Sequence, residues 1–135
     1  MSYLLDTDIM IYWLNNKYPG IQKKIKETPD HQIFVSSITI AELYFGAYNS
    51  SKIDENCQLL EELVPELNIL WFDEDCGKIF GEIKTELKKS GELINDSDLF
   101  IASTALKNKL CLVTNNQKHF TRIKNLRIEN WVTIK

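Results

Sequence analysis

Along the chain, short runs of apolar and β-branched residues alternate with longer stretches in which apolar positions recur every three or four residues. The runs YLL (3–5), QIFVS (32–36), NILWF (68–72), LCLVT (110–114) and WVTI (131–134) are brief and rich in Val, Ile and aromatic residues, which predicts strands. Between them the period lengthens, predicting helices over roughly 7–15, 20–27, 38–49, 53–63, 74–89 and 97–108. Pro19-Gly20, Pro29, Asn49-Ser50-Ser51, Pro65 and Ser90-Gly91 fall between these elements, where turn chemistry belongs. Strands alternating with helical stretches build βαβ units, so the expected fold is α/β: one domain over residues 1–135, a parallel sheet of about five strands with helices on both faces.

The pattern is broken at a few points by acids. In YLLDTDIMIYWL, Asp6 and Asp8 stand where the first strand ends and a helix begins near Thr7, carrying Ile9, Tyr12 and Trp13 on one face. The carboxyl end of a strand in an open α/β sheet is where ligands bind, although an Asp there also serves as a helix cap. In VSSITIAELYFGAY (35–48), Glu42 sits one turn into a helix; Thr39-Ile-Ala-Glu42 also fits a capping box. Asp96 and Asp98 open a helix that is apolar almost all round from Leu99 to Leu106, a place that the helix dipole favours for acids in any protein. The fourth strand runs out into Thr114, Asn115 and Asn116.

In a parallel sheet these positions share one edge. Several carboxylates brought within a few ångströms would repel one another, and some would protonate unless a cation joined them. An all-oxygen donor set selects Mg²⁺ or Mn²⁺, and a carboxylate-bound Mg²⁺ suits phosphodiester hydrolysis.

Composition adds constraints. The chain has a formal net charge of −3, which by itself speaks against nucleic-acid binding. From Ser103 onward, however, seven basic residues face one acid, leaving −9 on the preceding 102 residues. That asymmetry suits acids gathered in one place beside a basic flank. The three cysteines, Cys57, Cys76 and Cys111, are widely spaced and odd in number, so they read as core residues rather than a disulfide framework or zinc knuckle. No run of about 18 apolar residues and no signal-peptide pattern is present, so a cytoplasmic protein without a membrane span is expected.

At these residues the sequence resembles the PIN-domain ribonucleases, and among them the VapC toxins of bacterial toxin–antitoxin pairs. YLLDTDI is similar to the family's opening strand and first acid, SSITIAELYFGA to the segment with its second, and DLFIASTAL to the helix with its third; LVTNNQKHF followed by NLRIENWV resembles the tail of the branch that cleaves initiator tRNA. The resemblance implies that Asp6 and Asp98 are the principal Mg²⁺ ligands, with Mn²⁺ an alternative, and that Glu42 completes the triad. It leaves Asp8, Asp96, Asn116 and His119 open as sources of a fourth ligand: Asp8 stands where the family commonly has Asn, and Asn95-Asp96-Ser97 where it often has Gly-Pro-x. Asp96 is counted with the metal-binding acids, Asn116 is expected to orient the attacking water, and His119 is expected to be a surface or loop residue, with a general-base role the lesser alternative. The implied partners are an RNA substrate, most of all the anticodon loop of initiator tRNA, a VapB-type antitoxin and a second copy of the chain.

Tyr12, Trp13, Tyr44, Phe45 and Tyr48 cluster on the helices that carry the acids, and those left exposed would mark an interface. Two other readings compete. In a receiver-like signalling domain Asp73 would be the phosphoacceptor, but the required Lys could only be Lys135, and Glu42 would have no task. A non-catalytic PIN scaffold would not need Asp6, Glu42 and Asp98 together, since buried acids are expensive to keep.

Overall fold

The computed structural model describes residues 1–135. Five strands, β1 (Tyr3–Leu5), β2 (Ile33–Ser36), β3 (Ile69–Leu70), β4 (Cys111–Val113) and β5 (Ile128–Glu129), form one sheet in the order β3-β2-β1-β4-β5, with every pairing parallel. Seven helices accompany them: α1 (Thr7–Leu14), α2 (Pro19–Glu27), α3 (Ser37–Tyr48), α4 (Ile53–Leu63), α5 (Glu74–Ser90), α6 (Asp96–Lys107) and α7 (Gln117–Phe120).

Successive side chains of a strand point to opposite faces, and the core divides accordingly. Leu4 and Leu112 pack with Leu87 of α5 and with Leu99, Ala102 and Ala105 of α6, whereas Leu5, Val35 and Val113 pack with Ile9 and Met10 of α1 and Ile21 of α2. Both faces of the sheet are therefore covered, as the continuous apolar character of its central strands requires. A smaller cluster of Leu43, Ala47 and Leu60 ties α3 to α4. Cys57, Cys76 and Cys111 are all free, and no helix is long and apolar enough to cross a membrane.

The helices begin where short polar side chains satisfy their first backbone N–H groups. Asp6 caps α1 by accepting from the Ile9 amide at 2.9 Å, Ser36 caps α3 through Ile38, Asp73 caps α5 through Cys76, and Asn95 caps α6 through Asp98. In three of these cases a strand passes into a helix within a few residues, so the cap also fixes where the helix departs from the carboxyl edge of the sheet. Gly91, at φ 71°, closes α5 in the left-handed conformation that glycine adopts most easily.

Three expectations are corrected. The fifth strand is Ile128–Glu129, not 131–134: Leu112 pairs with Ile128 and Val113 with Glu129, while the chain beyond turns inward. Trp131 is wholly buried against Tyr3, with ring centroids 5.1 Å apart. A Cβ on Gly20 would collide with the carbonyl oxygens of Ile134 and Trp131, so only glycine lets this terminal turn close on the start of α2. Next, residues 117–120 form α7, whose Phe120 is fully buried; four residues are too few to show a helical period in sequence. Finally, Thr39 and Glu42 do not form a capping box. Ser36 caps α3 three residues earlier, leaving the Glu42 carboxylate free to be held from another element.

Candidate active site

Asp6 follows β1 directly, in the middle of the sheet, and is 6% exposed. Its amide donates to the Val113 carbonyl at 3.0 Å, which anchors it to the end of β4 as well. Burial pushes its carboxyl up to about 7, and the charges of Asp8 and Asp98 push the same way; hydrogen bonds from Thr114 and the Ile9 amide oppose them. A carboxyl with so little hydration and two acidic neighbours either keeps its proton near neutral pH or gains a cation.

Glu42 reaches the same place from α3. The Thr7 hydroxyl donates to Glu42 Oε1 at 2.6 Å and lies 3.0 Å from the Thr39 hydroxyl, so the first residue of α1 locks the acid of α3. Residue spacing offers Thr39 only a helix-capping role and Thr7 none; the only hint is the position of Thr7 between two acids.

Asp98 enters from the first turn of α6. Asn95 both caps the helix and donates from Nδ2 to Asp98 Oδ2 at 3.0 Å, while His119 Nδ1 lies 3.4 Å from the same oxygen. Asn116 Nδ2 is 2.7 Å from His119 Nδ1, and the Asn116 amide donates to the Thr114 hydroxyl at 2.9 Å. His119 lies in α7, partly exposed, with its ring turned toward Asp98. Asp96, at the start of α6, is paired with Lys84 of α5 at 2.9 Å.

Asp6, Asp8, Glu42, Asp96, Asp98 and Asn116 thus line one open cavity of about 480 Å³ in which Ile101 is the one apolar residue. Its donors are hard oxygens, the class that suits Mg²⁺ or Mn²⁺, and the raised carboxyl of buried Asp6 is the group that a cation there would favour ionising. In the present side-chain arrangement no three acids close on one point at ligand distance; Thr7 holds Glu42 by Oε1 alone, and Asp96 is paired with Lys84. Chemically the donor set fits a divalent cation. Asp73, which a signalling domain would phosphorylate, is instead occupied in capping α5 and in an ion pair with Lys107 at 3.0 Å.

The basic flank read from the sequence is partly spent on structure. Lys107 is taken by Asp73, and Arg122 donates to the carbonyls of Glu92 and Leu93 at 3.2 Å each.

Comparison with known proteins supplies the family. Residues 3–126 match the model of the PIN domain. The chain is 39% identical over 132 residues to the ribonuclease VapC2 of Haemophilus influenzae, covering 98% of this chain and 99% of that protein. It is 30% identical to the tRNA(fMet)-specific endonuclease VapC of Shigella flexneri, covering 97% of this chain and 98% of that one. Among solved structures, VapBC2 from Rickettsia felis bound to a DNA fragment from its promoter superposes with a TM-score of 0.85 at 38% identity, over 97% of this chain and 99% of that one.

Proposed function

The chain belongs to the PIN-domain family as a VapC-type ribonuclease toxin of a toxin–antitoxin system, and from that premise we propose that it is a divalent-cation-dependent endoribonuclease acting on tRNA. The observation that carries the proposal is the polar cavity walled by five carboxylates at the carboxyl edge of the sheet. Asp6, Glu42 and Asp98 would hold the cation, with Asp96 adding its charge at the rim. When bound, Mg²⁺ or Mn²⁺ supplies Lewis acidity to a phosphate oxygen and makes water a better nucleophile.

The rest is the work of the chain itself. Thr7 restrains Glu42 and Asn95 restrains Asp98 at the cavity wall, so each carboxylate has little freedom left to lose when substrate arrives. Asn116, with its Nδ2 engaged by His119, keeps its amide oxygen available to orient the attacking water. The open cavity between α1, α3 and α6 suits a splayed loop better than a stacked duplex, because the bases and backbone of single strands can be bent into it.

The initiator-tRNA anticodon loop is the target best supported, by the LVTNNQKHF…NLRIENWV tail and by a relative named for tRNA(fMet) cleavage. A VapB-type antitoxin is the expected partner, since the similar solved structures are VapBC complexes. An arginine of that partner could pair bidentately with the acidic cluster and silence it. Phe45, 70% exposed, and Tyr48, 64% exposed, give α3 an apolar face suited to a second copy of the chain.

The test is to incubate the purified protein with total cellular RNA, with and without Mg²⁺, and to map the new 5′ ends. Cation-dependent cuts confined to initiator tRNA are expected, and Asp98→Asn should abolish them. Full cleavage by that variant, or in EDTA, would remove the metal mechanism; cuts in messenger or ribosomal RNA with initiator tRNA intact would retain the nuclease and discard the target.

A further inference from the structure

We propose that Lys84 is a substrate-binding residue of this site, holding a non-bridging oxygen of an RNA phosphate next to the one that is cleaved. The inference rests on the ribonuclease reading and adds to it a residue outside the acidic cluster.

A polyanion approaching a wall of five carboxylates meets repulsion, and a cation inside the cavity offsets that only at the reacting phosphate. The neighbouring phosphates need a positive group at the rim. Among the Lys and Arg side chains, Lys84 alone forms an ion pair with an acid of the cavity wall; Lys52, Lys78 and Lys107 pair with Glu55, Glu74 and Asp73, none of which lines it. Arg122 is committed to backbone carbonyls.

Lys84 is also held in place. Its ammonium lies 2.9 Å from Asp96 Oδ1 and 5.5 Å from the centre of the Phe80 ring, which stacks on Phe100 at 4.5 Å. Phe100 belongs to α6, the helix that carries Asp96 and Asp98, so the lysine and the acids ride on one rigid unit. An ammonium has three N–H donors; Asp96 uses one, and with the side chain 41% exposed the others remain open to a phosphate. A surface ion pair that merely neutralises Asp96 would look similar, but it would behave differently under mutation.

The test measures binding of labelled unfractionated tRNA to the intact chain in Ca²⁺ buffer across a salt series, with cleavage kinetics in Mg²⁺ in parallel. Lys84→Gln should weaken binding about fivefold at low salt and flatten the slope of log affinity against log salt by about 0.7, the value for one contact to a single strand. KM should rise while kcat changes little, and Lys84→Arg should restore both. The double variant Lys84→Gln/Asp96→Asn separates the two explanations: the defect should persist in it. An unchanged slope in Lys84→Gln, or full rescue by Asp96→Asn, would overturn the proposal while leaving the nuclease intact. A wild-type protein that neither binds nor cleaves RNA would remove this role together with the ribonuclease reading.

Discussion

The Thr7 hydroxyl donates to Glu42 Oε1 at 2.6 Å, so the residue next to the first acid in the chain holds the second, far along the sequence. A hydrogen bond to a charged group contributes roughly 1.5–3 kcal/mol, and here it acts on the aim of a carboxylate rather than on the core. Thr7→Val, which keeps the shape, should lower cleavage by about tenfold or more in kcat, while Thr7→Ser should retain most of it. Single-turnover kinetics with denaturation midpoints alongside would separate loss of aim from loss of fold.

Asp6 gives the metal-free chain a pH dependence between about pH 4 and 7. Its carboxyl titrates at about 7 when folded, against 3.8 for an ordinary Asp, chiefly because it is buried. Between those two values the folded state keeps a proton that the unfolded chain has released. That stabilisation is fully present below pH 3.8 and is lost as pH rises through about 7, amounting to at most about 4 kcal/mol. Urea unfolding in EDTA should show the decline in wild type, with a shallower slope in Asp6→Asn. Added Mg²⁺ should stabilise wild type increasingly as pH rises over the same range, because cation and proton compete for one carboxylate.

Arg122 should prove structural. Its two hydrogen bonds to the carbonyls of Glu92 and Leu93 hold the link between α5 and α6, just ahead of Asn95 and Asp98. Arg122→Gln is expected to destabilise the protein by about 1–2 kcal/mol and to speed hydrogen exchange at the amides of residues 92–98. The salt slope of RNA binding should stay as it was, in contrast to the Lys84 variant.

Gly20→Ala would drive a methyl group into the Ile134 carbonyl oxygen and to 2.5 Å from that of Trp131. Both atoms are backbone, so relief requires the terminal turn to move, a change that typically costs at least about 1–3 kcal/mol. The near-ultraviolet signal of Trp131 and the melting temperature should both fall, and Gly46→Ala, which meets nothing within 4 Å, is the control.

How much of this is legible in the residues depends on the range of the interaction. The first four strands and the six longer helices obey local patterning, which the alternation of β-rich runs with longer apolar periods carries. The acids are legible by the same means, because a strand end (Asp6) and the opening turns of a helix (Glu42, Asp96, Asp98) are local features. The features that escape depend on distant partners. WVTI has strand composition, but Ile128 and Glu129 take the sheet edge beside Leu112 and Val113, and burial of Trp131 against Tyr3 claims the rest. His119 has the surroundings of a loop residue until α7 brings it to Asp98, and Thr7 acquires its task only through α3, an element remote in sequence.

The order β3-β2-β1-β4-β5 has a consequence for assembly. β1 precedes every other strand in the sequence, yet one of its two edges is filled only by β4, and Asp98, Thr114 and Asn116 lie far along the chain from Asp6 and Glu42. Without β4 in place the chain can display Asp6 and Glu42 but cannot complete the centre of its sheet or the wall of its cavity. Completion of the sheet centre and of the cavity wall therefore waits on one long-range pairing, β1 with β4, so the site assembles by closure of the fold rather than residue by residue.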